Sequence, residues 1–253
     1  MPPAAPLLFD PALRRLRFAR ARALGGSFLL DRMFDEVADR LAAIARPIDR
    51  LLVVGPAQPG WRERLAPLAA SIDWLDPAAA DEDRADLTPA AYGAALAVGS
   101  LDSVNQLPRA LHAIAASLRP DSPLLGALIG GNSLPALRRA LIDADRASGG
   151  ASPRSHPRID PPTLAALLGA AGFAEPVVDV DRLTLRYATL DRLVADLRAA
   201  AATNLLAERS RDYAGRDWPR RLAAAFATAA EADGRVAETI ELVHFHGWSR
   251  AAR

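Results

Sequence analysis

Neither cysteine nor lysine occurs in the 253 residues, so all 31 basic side chains are arginines. The lack of cysteine excludes a disulfide framework, a thiolate nucleophile and a zinc–thiolate site. Long apolar runs are also missing. The longest, Pro123 to Gly131, falls well short of the roughly 20 residues a helix needs to cross a bilayer, and it reads as a buried strand. No transmembrane segment is expected. A net charge of +1 gives no global attraction to nucleic acid or to an anionic membrane. The 51% apolar and 24% charged content is ordinary for a globular chain long enough for one large α/β domain. Five arginines between Arg14 and Arg22 resemble an organelle leader, but the stretch lies between good capping residues and is read as a structural helix. The expected location is the cytoplasm.

Asp10-Pro11 supplies an N-cap acid followed by proline in the first helical turn, and Gly25-Gly26 ends that helix. After Ser27, residues Leu30, Phe34, Val37, Leu41 and Ile44 recur at helical spacing and form an apolar stripe, which Pro47 ends. Leu51 to Val54 is a wholly apolar run followed by glycine, the pattern of a central parallel strand. A helix from about Trp61 to Ala70 and a strand from Ser71 to Asp76 follow. Residues 77–90 are acidic and alanine-rich without a clear period. A third strand is expected from Tyr92 to Val98. Next come a helix carrying Leu107, Leu111, Ile114 and Leu118, a strand from Leu124 to Ile129, and a helix with Leu134, Leu137, Leu141 and Ala144 inward. Gly149 to Pro157 reads as a loop, and Asp160-Pro161 opens a helix ending at Gly172. In the last third, Leu183, Leu185 and Tyr187 alternate as in a strand. Leu190, Leu193, Val194 and Leu197 mark a helix. A further helix spans about Trp218 to Glu231, and a final strand, expected antiparallel, runs from Glu238 to Trp248. Alternating strands and helices predict a doubly wound, mostly parallel α/β sheet. Residues 1–46 form an N-terminal helical segment packed on an α/β domain of residues 47–253.

Ligands of such sheets sit at the carboxyl ends of the strands. The first strand exits into Gly55-Pro56-Ala57-Gln58-Pro59-Gly60. A glycine-rich turn admits a ligand to the backbone, and a following helix N-terminus offers free N–H groups. Two prolines remove donors here, and a plain strand-to-helix turn explains the segment as well. Asp76, with Asp73 as the alternative, stands where an acid would bond a ribose; a surface acid before proline is an equal reading. His244 and His246 share a strand face but lack an evident third metal ligand, so a solvated or partner-facing strand is preferred. His156, in a loop, has the chemistry of an acid or base, although a plain loop histidine is the simpler reading. The arginine-rich helix suits an acidic partner or a solvated face. A nicotinamide-dependent dehydrogenase is disfavoured: the glycine fingerprint is incomplete, and Asp76 falls too soon after the loop.

Several segments in order carry a resemblance. They are Phe9-Asp10 before the arginine-rich helix, Phe28-Leu29-Leu30, Ser100 to Pro108 and Leu118-Arg119-Pro120-Asp121. Gly130-Gly131-Asn132-Ser133-Leu134, Ser152 to Pro157, Ala171-Gly172-Phe173 and Gly247-Trp248 continue it. The chain resembles the methyltransferase-fold assembly factor family of respiratory complex I and its bacterial S-adenosylmethionine-dependent methyltransferase relatives. The resemblance implies a class I, Rossmann-like methyltransferase fold. It also implies S-adenosylmethionine as cofactor, a protein or small-molecule acceptor, and a respiratory-complex subunit or other protein as partner; no nucleic acid is expected. It places the cofactor beside Gly55, Ala57 and Asp76, with Gly99 and Ser100 as the far wall. No catalytic residue and no metal ligand is assigned. Ala57 and Pro59 replace family glycines, Asp102-Ser103 replaces a histidine–tryptophan pair, and the 77–90 segment is shorter than the family's helix and strand. These departures predict weakened cofactor binding, or a non-catalytic assembly or interaction protein that keeps the fold.

Overall fold

The computed structural model describes residues 6–147, 152–155, 157–210 and 215–250. His156 lies outside them. The chain runs α1 (Pro11–Ala23), α2 (Phe28–Ala43), β1 (Ile48–Val54), α3 (Trp61–Leu65), β2 (Ala69–Leu75), β3 (Ala94–Val98), α4 (Leu107–Ser117) and β4 (Pro123–Ile129). It continues through α5 (Pro135–Arg146), α6 (Pro161–Ala170), β5 (Phe173–Tyr187), α7 (Leu190–Ala199), α8 (Trp218–Ala227) and β6 (Val236–Ser249). The strands form one six-stranded sheet in the order β2-β1-β3-β4-β6-β5. The first four pair parallel, and β6 runs antiparallel to both β4 and β5. This is the doubly wound, mostly parallel sheet with an antiparallel C-terminal strand that the sequence predicts.

The alternation of each strand feeds two cores. Leu51 and Val53 of β1, with Leu96 and Val98 of β3, face one side, where α2, α5, α7 and α8 pack. Leu52 and Val54, with Ala95 and Ala97, face the other side under α4 and α6. β1 is therefore central and buried on both faces, as a continuous apolar run requires.

The N-terminal helices are capped as expected. The Asp10 carboxylate accepts from Leu13 N, and Ser27 Oγ accepts from Leu30 N. Leu29, Leu30, Met33, Phe34, Val37, Ala38 and Leu41 of α2 are all buried in the first core. α1 lies outside this core, with Phe18 and Ala21 packed beside Ala201.

Four boundaries differ from expectation. α3 stops at Leu65, because Ala69 already pairs with Ile48 and β2 begins there. Tyr92 makes only an isolated bridge to Leu118, so β3 starts at Ala94. α8 ends at Ala227, since Ala230 turns back to bridge Val236. β5 begins at Phe173, about ten residues before its legible part. Its first half carries Pro176, Asp179 and Asp181 and a register shift between Ala174 and Val177. An edge strand tolerates these because one of its sides needs no partner.

Candidate functional site

The candidate site lies at the carboxyl ends of β1, β2 and β3. At Gly55 the backbone has φ 145°, and a Cβ there would stand 2.2 Å from the Val98 carbonyl oxygen. Only glycine fits between β1 and β3. Gly55 N donates to Leu75 O at 3.1 Å, and Gly55 O accepts from the indole of Trp74 at 2.8 Å. The loop then enters α3, which is only five residues long. So short a helix contributes little dipole to an anion or a ligand carboxylate. Trp61, its first residue, stacks on Phe34 of α2 at 4.1 Å and donates to Asp31 at 2.8 Å, which pins the loop to α2.

An open cavity of about 300 Å³ borders this loop, lined by Ala57, Gln58, Trp74 and Asp76 among others. Gln58 is 6% exposed, and neither its amide nitrogen nor its oxygen has a hydrogen-bond partner. An orphaned amide beside a cavity is what a ligand's polar edge would satisfy. Asp76 accepts from Ala78 N at 2.8 Å and from Arg22 of α1 at 3.1 Å. Arg22 is largely exposed in this pair, so the contact is worth about 0–1 kcal/mol and leaves the carboxylate lone pairs to spare. Asp73, the alternative acid, is engaged by Arg50 and the Tyr92 hydroxyl.

The far wall is closed. Gly99 has φ 67°, and a Cβ there would meet Leu30 Cδ2 at 2.3 Å. The crevice it lines measures about 10 Å³, roughly the space of one water. Ser100 is fully buried, and its Oγ has no partner. Its carbonyl accepts from Arg14 of α1 at 2.9 Å. The same guanidinium forks onto Glu82 at 2.7 and 2.9 Å and donates to Ser103 Oγ at 3.0 Å. Arg14 is 3% exposed and Glu82 1%. Of the five expected residues, then, Ala57 and Asp76 share the open cavity. Gly99 faces the narrow crevice, and Ser100 lies beneath Arg14.

The residues that close this wall escaped the sequence reading. The arginine-rich helix and the acidic 77–90 segment are partners: Arg14 pairs with Glu82 and Arg15 with Asp81, while Arg22 pairs with Asp76 just before that segment. Glu82 lies on a single 3₁₀ turn, Glu82–Arg84. Between β2 and β3 there is no further helix or strand beyond that turn, so β2 is a sheet edge. Phe9 and Asn105 lock the arrangement: Phe9 N donates to Asn105 Oδ1 at 2.8 Å, and Asn105 Nδ2 donates to Phe9 O at 3.0 Å. Opposite charge blocks in one sequence hint at such pairing, but no spacing rule matches them across nearly seventy residues.

His244 and His246 do not join this site. His244 is 2% exposed on β6 opposite Ala127, with both ring nitrogens unpartnered. Burial pushes its pKa down, Arg40 lowers it further, Glu36 and Asp181 act against this, and Arg32 lowers it again. Among the described residues no three of histidine, cysteine, aspartate and glutamate cluster as a metal site, and no helix is long and apolar enough to cross a membrane.

The sheet order, with ligand-facing loops at the strand ends, defines the class: a methyltransferase-like fold. A Bacillus halodurans protein described as a candidate methyltransferase superposes with a TM-score of 0.55 over 85% of this chain and 99% of its own, at 11% identity. In sequence, the chain is similar to malonyl-[acyl-carrier protein] O-methyltransferase of Laribacter hongkongensis, 35% identical over 62% of this chain and 54% of the relative. It is also similar to the mitochondrial arginine-hydroxylase NDUFAF5 of Danio rerio, 28% identical over 95% of this chain and 82% of the relative. The chain spans about half the length of several curated relatives it matches. No protein-family model matches it.

Proposed function

We propose that this chain is an S-adenosylmethionine-dependent methyltransferase-like protein with weakened cofactor binding. It would act on a protein or small-molecule acceptor, or serve the assembly of a respiratory complex. Residues 1–46 would form a helical cap on the 47–253 domain, in the cytoplasm. The relatives support S-adenosylmethionine as the cofactor and complex assembly as the setting. The observation that carries the weakening is the buried Arg14–Glu82–Ser100 bridge across the end of β3.

The residues fit the cofactor only in part. On the ribose side, the cavity with Gln58 and Asp76 offers an orphaned amide and a receptive carboxylate. At the far wall, Leu30 abuts Gly99, and Arg14 holds the Ser100 carbonyl. Pro56 and Pro59 carry no N–H. Losing two good hydrogen bonds at about 0.5–1.5 kcal/mol each weakens binding roughly 5- to 150-fold.

Calorimetric titration of S-adenosylmethionine tests the reading. Binding weaker than the micromolar range, or none, is expected. A low-micromolar dissociation constant overturns the proposed weakening and favours a plain enzyme. The buried position of Arg14 supports a second role, a non-catalytic assembly protein, in which the bridge serves only the fold. Under that role, binding stays absent even when Arg14 and Arg22 are replaced.

A further inference from the structure

A second cleft, of about 160 Å³, lies beyond the exit of β4. Leu137 and Leu141 of α5, Val194 of α7 and Leu222 of α8 are among its apolar walls. At its polar end stands Arg158, whose side chain is only 8% exposed. Its Nη1 is buried without a hydrogen-bond partner. The Asp102 carboxylate pairs with it at 3.7 Å, too long for a hydrogen bond. A buried guanidinium left short of acceptors is costly, and its planar fork matches a carboxylate.

The charges around it set the ligand's charge. Arg154 is neutralised by Asp145 at 2.8 Å. Arg138 gives one N–H to the Gly131 carbonyl at 3.1 Å and pairs with no carboxylate among the described residues. Arg138 and Arg158 against Asp102 leave a surplus of one positive charge, which suits a monoanion. The volume is below the roughly 300–1,000 Å³ of drug-sized sites, so the ligand is small.

We infer that this cleft binds a short-chain carboxylate, with its carboxyl on Arg158 and its apolar stem between α5, α7 and α8. The inference goes beyond the proposed function and needs no S-adenosylmethionine.

Titration of the full chain with sodium hexanoate, followed by calorimetry and by methyl chemical shifts, tests it. Acetate, hexanol and hexylammonium serve as controls. Saturable hexanoate binding is expected, with acetate and hexanol weaker by about tenfold or more, the cost of losing the stem or the charged hydrogen bonds. Arg158→Gln should weaken hexanoate by about tenfold or more. Leu141→Trp, which fills the stem space and keeps the guanidinium, should weaken it too. No saturation, equal binding of hexanol or acetate, or unchanged binding in a folded Arg158→Gln overturns the inference. If Arg158→Gln does not fold, the ranking of the four probes on the unmodified protein decides. Failure to bind S-adenosylmethionine leaves each of these readouts unaffected, so the two readings fail separately.

Discussion

At the scale of single residues, Arg14 and His244 make opposite predictions. Arg14 and Glu82 are both buried and bonded at 2.7 Å. Removing one partner strands a charge and costs about 3–5 kcal/mol, whereas replacing both by apolar residues of similar volume is close to neutral or stabilising. Urea denaturation of Glu82→Leu should show the large loss, and Arg14→Met with Glu82→Leu should recover most of it. His244 is buried with no hydrogen bond to either nitrogen, so burial disfavours its charged form. Its folded pKa lies below the unfolded value of about 6.5. A depressed pKa contributes stability that is complete above the unfolded pKa and is lost as pH falls below it. The melting temperature should therefore fall as pH drops below about 6.5, and His244→Leu should flatten that part of the profile without loss at pH 7.

At the scale of elements, α2 carries far more of the fold than α1. Six large apolar side chains of α2 are buried, namely Leu29, Leu30, Met33, Phe34, Val37 and Leu41. At about 1.5–3 kcal/mol each, they match or exceed a total stability of roughly 5–15 kcal/mol. Deleting residues 1–45 should abolish the cooperative thermal transition; a truncated chain melting at the same temperature would show that α2 is dispensable. α2 also anchors its neighbours: Trp61 of α3 stacks on Phe34, and Asp179 and Asp181 of β5 pair with Arg40 and Arg32. These ion pairs are largely exposed and add little. They do explain why acids sit on an edge strand that otherwise lacks a strand-like pattern.

At the scale of the molecule, α1 and the acidic 77–90 segment together decide access to the strand ends. In Arg14→Met with Arg22→Ala and Glu82→Leu, the fork across Ser100 is gone and Asp76 is free of α1. Under the proposed function, S-adenosylmethionine binding should then tighten by about 2- to 12-fold, the value of one hydrogen bond recovered at the Ser100 carbonyl. Calorimetry on the triple variant checks this, and an unchanged, unmeasurable affinity would favour the non-catalytic assembly role. Ala57→Gly with Pro59→Gly alone should gain little, because Arg14 still engages the Ser100 carbonyl.

Periodicity and capping in the sequence determined the sheet class, both N-terminal helices and the central place of Leu51 to Val54. Apolar spacing and N-caps are local consequences of burial and of unsatisfied helix N–H groups. The glycine turn at Gly55 was legible for the same reason: a local conformation needs a particular residue there. Only the tertiary structure decided which residues share a cavity. It placed Ala57 and Asp76 at the open end, put Ser100 under Arg14, and matched Arg158 with Asp102 across α6's entry loop. Such pairings depend on where distant elements meet in space. Charge attracts over any sequence separation, so no spacing along the chain records them.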